Sequence, residues 1–266
     1  MIPFLILNLA GLTVIAILLL SYRSEKRVLS AFASSSVPSS ETILGRALDL
    51  AGRVYVQVPR STDPRFIPVA AVDIIGGTPI SILRRGGCCS GLARVYITGL
   101  GTLGIKAAQV SLYHASGKSQ HALAEVSLGE QRVIVDPTYG FYYVDCHDTP
   151  IGLDELRRGI KPEYRKLPHS ERRRPRGPRT GESYPANDYY NFDFSCTKTA
   201  NWTKTVVRRS VHRLLRVLTR GRIDILRQPL WMEWPQIVVA TSVAAGVLLL
   251  DLAMLFLYGL ESHSPG

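Results

Sequence analysis

The sequence is most informative where charge is missing. No Lys or Arg precedes Arg23 and none follows Arg227, so all 32 lie from Arg23 to Arg227. Ile2–Leu20 runs nineteen residues with no charged side chain, and Ile237–Leu260 runs twenty-four with only Asp251. Each run matches the roughly 20 apolar residues that cross a bilayer as a helix. Two such runs are too few for a multi-span transporter, and their presence argues against a soluble enzyme and a disordered tail protein. No internal repeat is visible, which excludes a repeat architecture. No cysteine spacing matches a zinc site, because Cys88 and Cys89 are adjacent and lack the chelating geometry of a C-x2-C pair. Neither a metal nor a cofactor is expected.

What is present is a strongly basic middle. Net charge is +11 with a pI near 9.7, yet mean hydropathy is slightly positive because the apolar residues are concentrated at the two ends. A cleaved signal peptide would begin with basic residues. Here Arg23, Lys26 and Arg27 instead follow the first run, and Arg216, Arg220, Arg222 and Arg227 precede the second. Counted by the excess of Lys and Arg on cytoplasmic flanks, both runs place the termini outside and the middle in the cytoplasm, as an inner-membrane protein with two spans. Trp231, Trp234 and Tyr258 are placed to form an aromatic belt on the second span. In a reducing cytoplasm Cys88, Cys89, Cys146 and Cys196 are expected as free thiols. An extracytoplasmic middle would instead make Cys146–Cys196 a disulfide candidate. A carboxylate within a span must be paired, protonated or near water. Asn8 and Asp251 fall at matching depths if the spans are antiparallel, with Gly11 and Gly246 allowing close approach, so Asp251 either hydrogen-bonds Asn8 or, lying about two turns from the end of its run, reaches the outer interface by itself.

Between the spans, residues 28–40 read as a linker. Ser40 or Thr42 caps a helix to about Val54. A second helix starts near Ser90, its buried face made by Leu92, Val95, Tyr96, Gly99, Leu100 and Leu103, and Gly104 stops it. Lys106–Tyr113, His121–Leu128 and Arg132–Asp136 read as strands, the last two joined by a short hairpin connection. Pro168–Pro185 reads as a solvated Arg/Pro/Gly-rich loop. Its Arg172-Arg173-Arg174 run points to anionic lipid rather than to any specific nucleic acid. From Thr203 a basic amphipathic helix, with Val206, Val207, Leu214, Leu215, Val217 and Leu218 alternating with arginines, is suited to the inner membrane surface.

The segment that carries chemistry is Gly86–Tyr142. A cysteine just inside a helix start has its thiolate favoured by the dipole and the free N–H groups. A nucleophilic thiol also needs a base within reach and an acid to orient the base. The hairpin connection holds an even number of residues, whether it is Gly129-Glu130 or Ser127–Glu130. That sets His121, Leu123 and Asp136 on one face, with His121 and Asp136 opposite or diagonal. Glu125 shares the face and is read as structural support.

Four blocks in order, Gly87-Cys88-Cys89-Ser90-Gly91-Leu92-Ala93, Leu103-Gly104-Ile105-Lys106-Ala107, His121-Ala122-Leu123-Ala124-Glu125-Val126 and Val135-Asp136-Pro137-Thr138, resemble the transglutaminase-like family of the papain-type superfamily. The resemblance covers about residues 40–145. It implies an α+β, papain-like core in which a helix carrying Cys packs on an antiparallel sheet carrying His and Asp, flanked by two transmembrane helices. In its register Cys89 is the nucleophile, two after Gly87 and four before Ala93, with His121 as base and Asp136 as orienting acid. Leu123 stands where the family prefers Trp, a departure expected to alter the acyl-binding face. The implied activity is thiol acyl transfer on a peptide or protein amide, either amidase or protease hydrolysis or transamidation. The rival is a non-catalytic binding module in an envelope or polysaccharide-related assembly. The implied division is an apolar helix at 1–21, a linker at 22–40, the transglutaminase-like domain at 41–164, an Arg/Pro-rich loop and extension at 165–200, the basic helix at 201–228 and a second apolar helix at 235–260.

Overall fold

The computed structural model describes residues 2–35, 42–60, 77–113, 119–172, 194, 197, 199, 206–224 and 227–262. Two of its helices are long and apolar enough to cross a membrane, α1 (Ile2–Ser34) and α7 (Pro235–Ser262). They pack on each other. At Gly11 a methyl group would sit 2.8 Å from Val247 Cγ2, so the missing side chain is what lets the helices approach. Asn8 Nδ2 donates to Asp251 Oδ1 at 3.1 Å, the first of the two arrangements expected for Asp251. Gly246 takes no part in the close approach, since a methyl group there would meet no neighbour within 4 Å.

The linker expected over 22–40 is largely absent, because α1 runs on without a break to Ser34. Its last turns are held by the domain. Leu29 and Ala33 are fully buried in the main core, and Arg53 Nη1 and Nη2 donate to the carbonyls of Phe32 and Ala33 at 2.6 and 2.9 Å. These bonds satisfy acceptors that every helix leaves open at its C-terminus. The basic residues mark the end of the apolar run, but the helix does not end there.

Helix α2 (Ile43–Gln57) begins at Thr42, whose Oγ1 accepts from Gly45 N–H at 3.0 Å. Helix α3 (Pro79–Arg85) is capped the same way by Thr78. Helix α4 (Cys89–Thr102) ends at Leu103, before Gly104 at φ +74°. The sequence suggested one buried face for α4, but Gly91–Leu100 is buried on every side. The helix lies among α1, α2 and α3 and against the first two strands, and a helix with neighbours all round can expose no polar side. Its Arg94 is therefore buried, and Nε bonds Glu233 Oε2 at 3.1 Å, just before α7.

The sheet is antiparallel with five strands in simple order, β1 (Ala107–Tyr113), β2 (Ser119–Leu128), β3 (Gln131–Asp136), β4 (Phe141–Val144) and β5 (Glu163–Lys166). A short helix, α5 (Leu153–Arg157), precedes β5. The β2–β3 turn is Gly129-Glu130, with Leu128 paired to Gln131 and Gly129 at φ +82°, the positive angle that the first central residue of a II′ turn requires. On one side of the sheet Ala124, Val126, Val133 and Val135 join the helices in the main core. On the other side Val110, Leu112, Leu123, Ile134, Tyr143 and Phe194 form a second apolar cluster over Leu153 and Leu156.

Trp234 corrects the aromatic-belt expectation. It is buried in the main core with its ring edge-on to Tyr22 at 5.0 Å, whereas Trp231 is half exposed. Tyr258 side-chain placement lies outside the described residues. The solvated loop expected from Pro168 starts later, since Leu167 and Ser170 are buried and Pro168–Arg172 lies against α2. Arg173, Arg174 and the rest of that stretch lie outside the described residues. The basic helix, α6, spans Val206–Leu218.

Candidate functional site

Helix α4 presents its first turn toward the start of β2, and this places the cysteines near the histidine strand. Cys88 is the N-cap of α4 and Cys89 its first helical residue. Cys89 Sγ accepts a hydrogen bond from the N–H of Ala122, the residue next to His121. The β2–β3 register sets Leu123 opposite Asp136, so His121 is the diagonal neighbour of Asp136 on the same face. His121 Nε2 and Asp136 Oδ2 are 2.8 Å apart, with His121 4% exposed and Asp136 fully buried. The other oxygen, Oδ1, accepts the N–H groups of Thr138 and Tyr139 at 2.8 and 3.1 Å. The Asp-Pro-Thr turn therefore fixes the carboxylate, and the carboxylate fixes the ring.

Two contributors were not legible in the sequence. Tyr139 packs its ring 5.2 Å from that of His121 and shields the dyad from water. Arg60 lies over the outer face of Tyr139, 4.9 Å from the ring centroid, and Nη2 donates to its hydroxyl at 3.2 Å. Tyr139 follows Asp136 closely enough for its place in the turn to be guessed. Arg60 is 79 residues away, with no local signal. Its backbone pairs in parallel with Gly87, which ties the segment before the cysteines to the site.

The two thiols are electrostatically unequal. The Cys88 thiol is pulled down to about 4, chiefly by the hydrogen bond from Cys89. Desolvation works against this, while the Ser90 hydroxyl at 3.2 Å and the N–H groups of Gly91 and Ser90 add to it. The last two are unsatisfied donors of a helix start, the usual stabilisers of a thiolate. Cys89 is pushed well above the ordinary thiol range, first by that same bond to Cys88, then by burial and by the Cys88 charge. The pair therefore holds one negative charge, on the exposed Cys88, and a proton on Cys89.

The rest of the expected constellation has separate places. Glu125 is buried beneath the sheet, where Oε1 accepts Leu153 N–H at 3.0 Å and Oε2 accepts from Arg227 Nε at 2.6 Å. This is the structural role expected of it. Leu123 is fully buried in the second apolar cluster, so the Trp-to-Leu departure changes core packing and not an open acyl-binding face. Cys146 is free and exposed, and Cys196 lies outside the described residues. Among the described residues no cluster of His, Cys, Asp and Glu has a metal-binding arrangement.

No protein-family model matches the sequence, and no curated protein does. Among solved structures, the chain is similar to a protein of Cytophaga hutchinsonii described as a candidate cysteine protease. Identity is 22% and the TM-score 0.33, over 42% of this chain and 37% of that one. The match thus spans under half the length of either protein.

Proposed function

We propose that the middle of the chain is a transglutaminase-like, papain-type thiol domain that transfers acyl groups from a peptide or protein amide, held at a membrane by α1 and α7. The observation that carries this reading is the buried 2.8 Å His121–Asp136 pair, set beside a helix N-terminus that bears two thiols. Cys89 attacks the amide carbonyl. Nε2 of His121 faces Asp136, so the sulfur proton passes to Nδ1 and returns from there to the leaving amine. Asp136 keeps the ring oriented and stabilises the imidazolium as it forms. The thioester then passes its acyl group to water or to an amine.

The electrostatics favour a second assignment within the same chemistry. Cys88 holds the ready thiolate, and Cys89 would then be the hydrogen-bond donor that keeps it ionised. Fast alkylation by iodoacetamide or a peptide electrophile, with the labelled residue mapped, separates these readings. Labelling of Cys89 that slows in His121→Ala supports the first, and labelling of Cys88 that ignores His121 supports the second. If neither reacts faster than the exposed Cys146, there is no activated thiol and the enzyme reading fails.

The basic flanks of α1 and α7 support a plasma-membrane protein with two spans and the thiol domain in the cytoplasm. A reporter fused at residue 180 tests this. Activity of a cytoplasmic reporter there agrees, and a periplasmic signal moves the substrate to the cell envelope.

A further inference from the structure

Among the described residues, helix α6 has apolar side chains that are left open. The sequence spaces Val207, Val211, Leu214 and Leu218 at i, i+4, i+7 and i+11, one stripe of a 3.6-residue helix. Arg208, Arg209, His212, Arg213 and Arg216 fall on the opposite arc. Such segregation normally marks a helix with its stripe on the core. Here Leu214, Val217 and Leu218 are 60%, 77% and 68% exposed.

The surroundings identify the occupant. Residues 194–223 contain eight Lys and Arg and no acidic residue, so the apolar stripe is bordered by positive charge. A groove on a partner protein would need matching acids around an apolar trough, whereas an anionic bilayer surface offers both chemistries on any patch. The same chain supplies two helices able to enter that bilayer. Sixteen residues separate Leu218 from Pro235, the first residue of α7, so the open stripe lies close in sequence to the second span.

We propose that α6 lies on an anionic lipid surface, with Leu214 and Leu218 among the acyl chains and Arg213 and Arg216 at the headgroups. This rests on the reading of α1 and α7 as spans. An interfacial helix of this kind combines buried apolar area with attraction to anionic lipid, about fivefold in docked population per basic residue. Docking at that point would hold the domain by three elements instead of two.

The test uses the full chain in lipid discs, with a fluorescent amino acid at position 218, on the stripe, or at position 209, on the opposite arc, and brominated lipid as quencher. In discs containing phosphatidylglycerol, the probe at 218 should be quenched several-fold more than the probe at 209. The contrast should shrink in pure phosphatidylcholine and in Arg213→Gln/Arg216→Gln, by about 25-fold in docked ratio for the two arginines together. Equal quenching at both positions overturns the proposal. So does a probe at 218 shielded from water but not quenched by lipid, which would mean that protein covers the face. Undiminished contrast in pure phosphatidylcholine overturns the anionic part. A chain that fails to enter discs at all refutes the spans themselves, a different outcome from a chain that inserts with α6 unquenched.

Discussion

Replacing Cys89 by alanine removes the largest of the interactions that hold Cys88 at about 4. The Ser90 hydroxyl and the N–H groups of Ser90 and Gly91 stay and continue to pull down, while desolvation pulls up. In the limit where the lost bond accounts for the whole shift, the thiol returns to about 8.5. In the parent chain Cys88 is more than ~90% thiolate from about pH 5 upward, so its alkylation rate should be flat from there. In Cys89→Ala at about pH 6 the thiolate fraction falls to roughly 0.3% in that limit, a loss of about 300-fold. Each thiolate is also more nucleophilic, by about 100-fold for a Brønsted slope near 0.45 over ~4.5 units. The two effects nearly offset, so the rate at about pH 6 drops only about threefold, while at about pH 9 it exceeds the parent by 50- to 100-fold. The signature is therefore a slope where the parent has a plateau, read by iodoacetamide labelling with mass-spectrometric mapping. The converse substitution, Cys88→Ala, removes both the bond and the charge that hold the Cys89 proton on, so Cys89 should begin to label at lower pH than in the parent. A parent profile for Cys88 that climbs about tenfold per pH unit through neutrality refutes the depressed thiolate. An unmoved plateau in Cys89→Ala refutes the cause assigned to it.

Three further outcomes follow from the packing. His121→Ala should lower turnover or reactive-thiol labelling by about 10²–10⁴-fold, and Asp136→Asn by less, because it disturbs orientation without removing the base; a larger loss in Asp136→Asn would make the carboxylate more than an orienting group. Arg94→Met leaves Glu233 buried with, among the described residues, Gln228 as its remaining side-chain partner and should cost about 3–5 kcal/mol in denaturant or thermal unfolding, while Arg94→Met/Glu233→Leu recovers most of it. Asn8→Cys with Asp251→Cys should cross-link within one chain, and a chain that never does so does not pack its apolar helices as described.

The site was more legible than its supports. An even-length turn set the parity of the β2–β3 pairing, and with it the shared face of His121 and Asp136, while the choice between Gly129-Glu130 and a longer turn came only with the observed pairing of Leu128 and Gln131. Thr42 and Gly104 announced helix ends through local chemistry. Strands β4 and β5 have four residues each, too few to show a period. The burial of Arg94 had no local sign, because its partner Glu233 is 139 residues away. The continuation of α1 past Arg23 was hidden for another reason. Hydropathy reports where lipid ends, and Leu29 and Ala33 are held by Arg53, Gly99 and Leu50, which no nearby residue foretells.

The participation of both chain ends in one core has a consequence in time. Leu29 near the start and Trp234 near the finish belong to the same cluster, and Tyr22 meets Trp234 across more than two hundred residues. A chain emerging from the ribosome can form α2, the sheet and much of α4, but the Arg94–Glu233 ion pair cannot form until Glu233 has been made. Contacts this distant in sequence form late, after the entropy of closing the loop has been met. Completion of the core and packing of the second apolar helix are thus linked. A ribosome stalled shortly before residue 233 would hold a domain with its sheet complete and its central helix still uncovered on one side.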